Sequence, residues 1–201
     1  MILHTPPQLV LASRSPRRAQ LLAMLGLTFD IVPSHVDEMY LAGEDPAAHA
    51  ERLALEKASA VAGARPAAHV IGSDTVVIVE GEMLGKPRDE AEAVAMLLRL
   101  QGRVHTVATG VALVHAASIS SAVEETHVRF RPFGEATARA YVATGEPADK
   151  AGAYGIQGFG AALVEWIEGD FFAVMGLPIC RLIGLFERMG LHYDFPGLHW
   201  K

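Results

Sequence analysis

The sequence predicts an α/β domain in which a mixed β-sheet is covered by helices. Three observations predict it. Short β-like runs alternate with amphipathic helical stretches through the first third of the chain. Hairpin signals then dominate the middle, which argues for antiparallel neighbours beside parallel ones rather than a purely doubly wound sheet. The 201 residues are 51% hydrophobic and 20% charged, enough apolar material to bury one sizeable core without metal or disulfide staples. No repeat, low-complexity tract or linker divides the chain, so residues 1–201 are read as a single domain.

The elements follow in order. Residues 8–13 (QLVLAS) form a short strand that breaks at Arg14-Ser15-Pro16. Ser15 caps and Pro16 opens a helix over 16–25, with Gly26 as its stop. Residues 28–33 (TFDIVP) read as a second strand. Pro46–Ala62 is a helix with an apolar stripe at Ala50, Leu53, Ala54, Ala58 and Val61. His69–Val79 is rich in Val and Ile, yet Gly72-Ser73-Asp74 is expected to interrupt it. Glu80-Gly81-Glu82 closes a hairpin onto Met83-Leu84. Asp89 caps a helix over Glu90–Leu100, with Glu92 completing a capping box. Long strands follow at Val104–His115 and 121–133, then a helix over 134–144 and a glycine-rich loop over 145–160. Residues 163–167 and Phe171–Met175 read as two strands joined at Glu168-Gly169-Asp170. Pro178 starts the last helix, to residue 189, before a polar-aromatic tail over 192–201.

Composition excludes several classes of function. A net charge of −6 advertises no general affinity for nucleic acid or anionic membrane. The single cysteine, Cys180, excludes an internal disulfide framework and is expected in the core of its apolar helix. No basic n-region opens the chain and no apolar run approaches bilayer length, so the expected location is the cytoplasm. Of the 17 basic residues only four are lysine, Lys57, Lys86, Lys150 and Lys201, which draws the eye to the internal ones.

Several residues break local rules. Arg17 and Arg18 fall in a first helical turn, where cations oppose the helix dipole. A bound anion would resolve the conflict; otherwise both arginines splay into solvent or pair with acidic neighbours. Lys57 lies within the apolar stripe of its helix and needs a charge partner, an anionic ligand or a route back to water. If its partner is a phosphate, Lys57→Met is expected to preserve or raise thermal stability. Asp74, flanked by apolar runs, is either a turn residue or a carboxylate held at a sheet edge. Asp37-Glu38 offers hard oxygen ligands for a divalent cation, or plain solvated surface. Lys86 sits in a tight Gly85-Lys86-Pro87 turn that suits phosphate contact or any exposed hairpin end. In the glycine-rich loop, Gln157 carries both a donor and an acceptor suited to a nucleobase edge, or braces the loop. No Walker loop, dinucleotide fingerprint or zinc-helix histidine pair is present.

The order of the blocks LASRSPRRAQLL, VDE, LALEKA, GSDTVV, GEMLGKP, GRVHTVATGVAL, YVATGEPADKAGAYGIQG and VMGLPI resembles the Maf family of nucleoside triphosphate pyrophosphatases, over residues 9–185. The resemblance implies an elongated α/β domain of the Maf/Ham1-like type, with a mixed sheet flanked by helices and a central substrate cleft. It implies hydrolysis of a nucleoside triphosphate to the monophosphate and pyrophosphate. Carried onto this chain, the family's proton acceptor falls on Asp74, and its polar cleft residues on Ser13, Arg17, Arg18, Glu38, Lys57, Lys86 and Gln157. Base choice falls on Arg17, Thr75 and Gln157, and a divalent cation (Mg²⁺, Mn²⁺ or Co²⁺) on Glu38 and Asp74. The stretch KAGAYGIQG, with Lys150, Tyr154 and Gln157, resembles the subgroup acting on dTTP and UTP, a house-cleaning activity toward excess or non-standard nucleotides. Arg14 is assigned no role, and the tail over 192–201 matches no family pattern. The implied partner is the triphosphate substrate, with no stable nucleic-acid or membrane partner; a homodimer is left open. Two other readings are a purine nucleotide pyrophosphatase of dITP/XTP type and a non-catalytic regulator of cell division.

Overall fold

A computed structural model of the chain describes residues 7–200. Residues 1–6, part of the opening stretch read above for a leader, and Lys201 lie outside the described residues. The elements are β1 (Leu9–Leu11), α1 (Pro16–Met24), β2 (Phe29–Ile31), α2 (Pro46–Ala62), β3 (His69–Val79), β4 (Glu82–Leu84), α3 (Glu90–Leu100), β5 (Val104–His115) and β6 (Ser118–Phe130). After these come α4 (Glu135–Val142), three short 3-10 turns, β7 (Val164–Glu168), α5 (Phe171–Met175), α6 (Ile179–Arg188), β8 (Leu191–Tyr193) and β9 (Leu198–Trp200). Among the described residues, seven strands form one sheet in the order β2-β1-β3-β5-β6-β7, with β4 beside β3. Strand β1 runs parallel to β2 and β3, whereas β4 is antiparallel to β3 and β7 to β6, so the sheet is mixed as predicted. No helix among the described residues is long and apolar enough to cross a membrane.

Two compact units divide the chain. The first holds the residues up to Asp74, Thr109–Glu124 and those from Gly176 onward; the second holds Thr75–Ala108 and Glu125–Met175. In the first unit, Val10, Val70, Ala112 and Val114 of the strands, with Ala12 just past β1, pack with Ala54, Ala58 and Val61 of α2. In the second, Val77, Leu97, Leu100, Val107, Val128, Phe130 and Tyr141 form the core.

Helix α2 is held at its start by Asp45, whose Oδ1 accepts from the Ala47 and Ala48 amides at 3.0 Å. Its alanine stripe lets it lie directly on the sheet. A Cβ at Gly72 of β3 would sit 2.1 Å from the Ala54 carbonyl oxygen, and one at Gly110 of β5 would sit 2.2 Å from that of Ala50. This corrects the expected interruption of β3: the strand is continuous, and Gly72 marks the close approach of another backbone rather than a turn. Gly72→Ala is therefore expected to destabilise by about 1–3 kcal/mol, since main chain rather than a flexible side chain must move. Urea denaturation measures this, and an unchanged midpoint would mean α2 yields freely.

Four further expectations are corrected. Strand β6 starts at Ser118 because a two-residue turn, with Ala116 at φ +51, follows β5 directly, and it ends before Pro132. Phe171–Met175 is helical, because the Asp170 carboxylate accepts from the Phe172 amide at 2.7 Å and starts a turn there. Cys180 is exposed: α6 buries Leu182, Leu185 and Phe186, and Cys180 lies on the opposite side of the helical wheel. In the tail, to which the sequence assigned no pattern, β8 and β9 pair as a hairpin that buries Leu191 and Leu198. The capping box before α3 is also displaced by one residue: Asp89 accepts from the Glu92 amide, while Glu92 accepts from the amide of Arg88.

Candidate functional site

The first unit gathers six of the residues singled out in the sequence: Ser13, Arg17, Arg18, Glu38, Lys57 and Asp74. At the start of α1, Ser15 occupies the cap position without a side-chain cap bond. Ser13, two residues back, does the local work instead. Its buried Oγ accepts from the Ser15 amide at 3.1 Å and from Arg18 Nη1 at 3.2 Å. Arg18 Nε donates to the Gly176 carbonyl at 2.8 Å. Burial pulls the Arg18 guanidinium below its ordinary value; the Asp74 and Glu38 carboxylates pull it back up, and Arg17 pulls it further down. Two like charges thus share one helical turn in the field of two carboxylates, an arrangement that suits an anion carrying its own cation.

Lys57 does not reach solvent along its stem. Its Nζ lies 2.6 Å from Asp74 Oδ1 and 2.6 Å from Glu38 Oε1, with side-chain exposures of 7% for Lys57, 11% for Asp74 and 46% for Glu38. The glycine contacts explain this placement, because a helix laid on β3 at Gly72 brings Lys57, three residues after Ala54, down beside Asp74, two residues after Gly72. The charge partner that an inward lysine needs is therefore a pair of carboxylates. Of the Asp37-Glu38 pair, it is Glu38 that takes part.

Sequence reasoning missed the groups that hold this cluster in place. Ser73 Oγ, fully buried, lies 2.8 Å from both the Gly110 and Gly176 carbonyl oxygens and shares its one proton between them. The loop bearing Glu38 is tied to α2 by Arg52, which donates to the neighbouring Met39 carbonyl at 3.2 Å and to both oxygens of Glu44 at 2.6 and 2.8 Å. His49 Nδ1 also lies 2.9 Å from Glu44. Together these bonds, Arg52 foremost, bring the Glu44 carboxyl down to about 2. The i, i+4 pair Arg52–Glu56 was visible as a pattern, but nothing local linked Arg52 to Glu44.

Glu38 Oε1 and Asp74 Oδ1 are hard anionic oxygens that converge on one point, where Lys57 Nζ stands. Among the described residues, no three His, Cys, Asp or Glu side chains gather to hold a metal. Two carboxylates fit Mg²⁺ or Mn²⁺ shared with ligand phosphates, the usual arrangement for these ions, rather than an all-protein cage.

The second unit holds Thr75, Lys86 and Gln157. Thr75 is half-buried and follows Asp74 in β3; Lys86 is exposed after β4. The turn carrying Lys86 is linked to the glycine-rich loop by a bond from the Gly152 amide to the Gly85 carbonyl at 3.0 Å. Gln157 is exposed. Tyr154 is a core residue, its hydroxyl 2.8 Å from His105 Nε2. Burial pushes the Tyr154 hydroxyl up and brings His105 down to about 4, so the imidazole is neutral.

The profile of the Maf-like protein family matches residues 8–189. A dTTP/UTP pyrophosphatase of Symbiobacterium thermophilum is 52% identical over 183 residues, covering 91% of this chain and 94% of the relative. A dTTP/UTP pyrophosphatase of Moorella thermoacetica is 53% identical over 186 residues, covering 92% of this chain and 96% of the relative. Among solved structures, the Staphylococcus aureus Ham1 protein superposes with a TM-score of 0.46 at 17% identity, over 78% of this chain and 79% of that one.

Proposed function

The chain belongs to the Maf family, and on that premise we propose that it hydrolyses dTTP and UTP to the nucleoside monophosphate and pyrophosphate. The observation that carries the reading is the Asp74–Lys57–Glu38 cluster, a buried ammonium joined at 2.6 Å to the buried Asp74 on one side and the exposed Glu38 on the other. Nearly full-length relatives that bear this activity in their names support it.

In the reaction, water attacks the α-phosphorus. The bond from that phosphorus to the oxygen bridging it to the β-phosphate breaks, and pyrophosphate leaves with the electron pair. Asp74 accepts the proton of the attacking water. Arg17, Arg18, Lys57 and Lys86 neutralise the triphosphate and the charge gathered by the leaving group, and Ser13 orients Arg18. Glu38 and Asp74 would hold a divalent cation, Mg²⁺, Mn²⁺ or Co²⁺, together with the substrate. Such an ion, when bound, polarises phosphoryl oxygens and offsets their charge.

Arg17, Thr75 and Gln157 set base preference. The Gln157 amide can donate to a pyrimidine carbonyl and accept from the ring N3–H, a pattern that thymine and uracil share. Cytosine presents a bare N3 acceptor and an exocyclic amine, which mismatch the same amide. Unpaired polar groups reject an analogue strongly, whereas a single methyl shifts binding by only about 1–3 kcal/mol, so dTTP and UTP are both good substrates. Pyrophosphate release from dTTP, UTP, CTP and GTP, with each cation supplied, tests the reading. The wild-type chain is expected to favour dTTP and UTP, and Gln157→Glu to lose about 10-fold or more in kcat/KM for both. A wild-type preference for CTP or GTP would overturn the assignment.

A further inference from the structure

The exposed Gln157 sits at the tip of a small loop, Gly155 to Gly160, whose two ends meet. A Cβ at Gly160 would fall 2.2 Å from the Gly155 carbonyl oxygen. Gln157 itself is extended, at φ −97 and ψ 170, and the next residue, Gly158, takes φ +65. A side chain at Gly158 would also strike Glu146, its Cβ lying 2.5 Å from Oε2. The loop is thus drawn onto one carboxylate.

The bonds show how. Tyr141 Oη, on α4, donates to Glu146 Oε1 at 2.7 Å and accepts from the Gly155 amide at 3.1 Å. Glu146 Oε2 accepts from the Phe159 amide at 2.8 Å, and Oε1 from the Gly160 amide at 3.1 Å. Glu146 opens the 3-10 turn Glu146–Asp149, the first element after α4. Its backbone carbonyl accepts from Lys150 Nζ. One phenol and one carboxylate therefore hold the main chain two residues before Gln157 and two and three residues after it. Burial raises the Glu146 carboxyl, but the bonds from Tyr141, Phe159 and Gly160 outweigh it and leave it below the ordinary carboxylate range.

We propose that Glu146 and Tyr141 are the positioning residues for base selection: they fix the main chain on both flanks of Gln157, and so the direction in which its amide meets the pyrimidine. The proposal rests on Gln157 as the base-reading group. An amide that must donate to one atom and accept from its neighbour discriminates only while its own direction is fixed, because a loop free to turn can satisfy cytosine as well. Bracing falls to Tyr141, Glu146 and Lys150, which leaves Gln157 available to a ligand.

The test measures kcat and KM separately for dTTP, UTP and CTP in wild type, Glu146→Gln, Tyr141→Phe and Gln157→Ala, with thermal melts of each. Glu146→Gln turns one acceptor oxygen into a donor facing backbone amides, and Tyr141→Phe removes a single hydroxyl from a residue whose ring remains packed. Both are expected to raise KM for dTTP and UTP with kcat held within about threefold, narrowing preference over CTP by about 10-fold. Gln157→Ala should narrow it at least as far. If Gln157→Ala narrows the preference while Glu146→Gln and Tyr141→Phe only lower the melting temperature and leave the ranking intact, the positioning proposal is overturned and the base-reading role stands. If Gln157→Ala leaves the ranking intact, both fall together. Should Glu146→Gln fail to fold, Tyr141→Phe decides alone.

Discussion

Turnover of dTTP and UTP falls by at least ~100-fold in an Asp74→Asn protein, the lower end for loss of a general base, while the fold and substrate binding persist. Asparagine fills the same space on β3 and still offers a carbonyl oxygen to Lys57 Nζ, which lies 2.6 Å from Asp74 Oδ1. Lys57 also keeps Glu38 as a charged partner. What asparagine cannot do is take a proton from water or present an anionic oxygen to a cation. Single-turnover kinetics, a melting curve and calorimetric binding of a non-hydrolysable dTTP analogue separate these effects. A folded Asp74→Asn protein with near-normal turnover would remove Asp74 from the chemistry.

Lys57→Met reverses an expectation. From sequence alone, with a phosphate as the partner of Lys57, loss of the buried ammonium promised equal or greater stability. Because Lys57 stands between Asp74 and Glu38, its loss instead strands Asp74, only 8% exposed, without its cation. Removing one partner of such a pair costs on the order of 3 kcal/mol. For a chain of this length that corresponds to roughly 6–12 °C in Tm, and activity falls sharply in the same variant. The double variant Lys57→Met, Asp74→Asn recovers most of the stability and none of the activity, since no buried charge loses its partner and Glu38, 46% exposed, is solvated by water. Thermal melts of the four proteins complete the cycle. A single Lys57→Met variant that melts at or above wild type would mean that the pair contributes no net stability.

The helices α2 and α3 were legible to the residue because their signals are local: a proline or capping aspartate in front and an apolar stripe behind. Strand β3 was misjudged at Gly72 because the reason for that glycine is a helix that begins in sequence twenty-six residues earlier, and no window around Gly72 contains it. Phe171–Met175 has the composition of a strand, and one Asp170 side-chain bond overrides it. In the candidate site, Arg17, Arg18 and Lys57 stood out because each violates a rule that its own helix sets. Ser73, Glu44 and Glu146 violate nothing locally. Their roles lie in bonds to Gly110 and Gly176, to Arg52, and to the amides of Phe159 and Gly160. A polar residue whose partner lies far along the chain looks like ordinary surface until the chain is folded.

Arg18 has a consequence for how an anion is met. A flexible side chain ordered at a binding surface loses about 0.5–1.5 kcal/mol of rotamer freedom at the moment of association. The Arg18 guanidinium is already held at two nitrogens, by the Ser13 hydroxyl and the Gly176 carbonyl. Its direction is settled when the chain folds, before any ligand arrives. An oxyanion reaching the start of α1 therefore finds a cation that cannot swing to follow it. The attraction is spent on choosing where the anion sits, and a phosphate displaced by an ångström loses more than it would beside a mobile lysine.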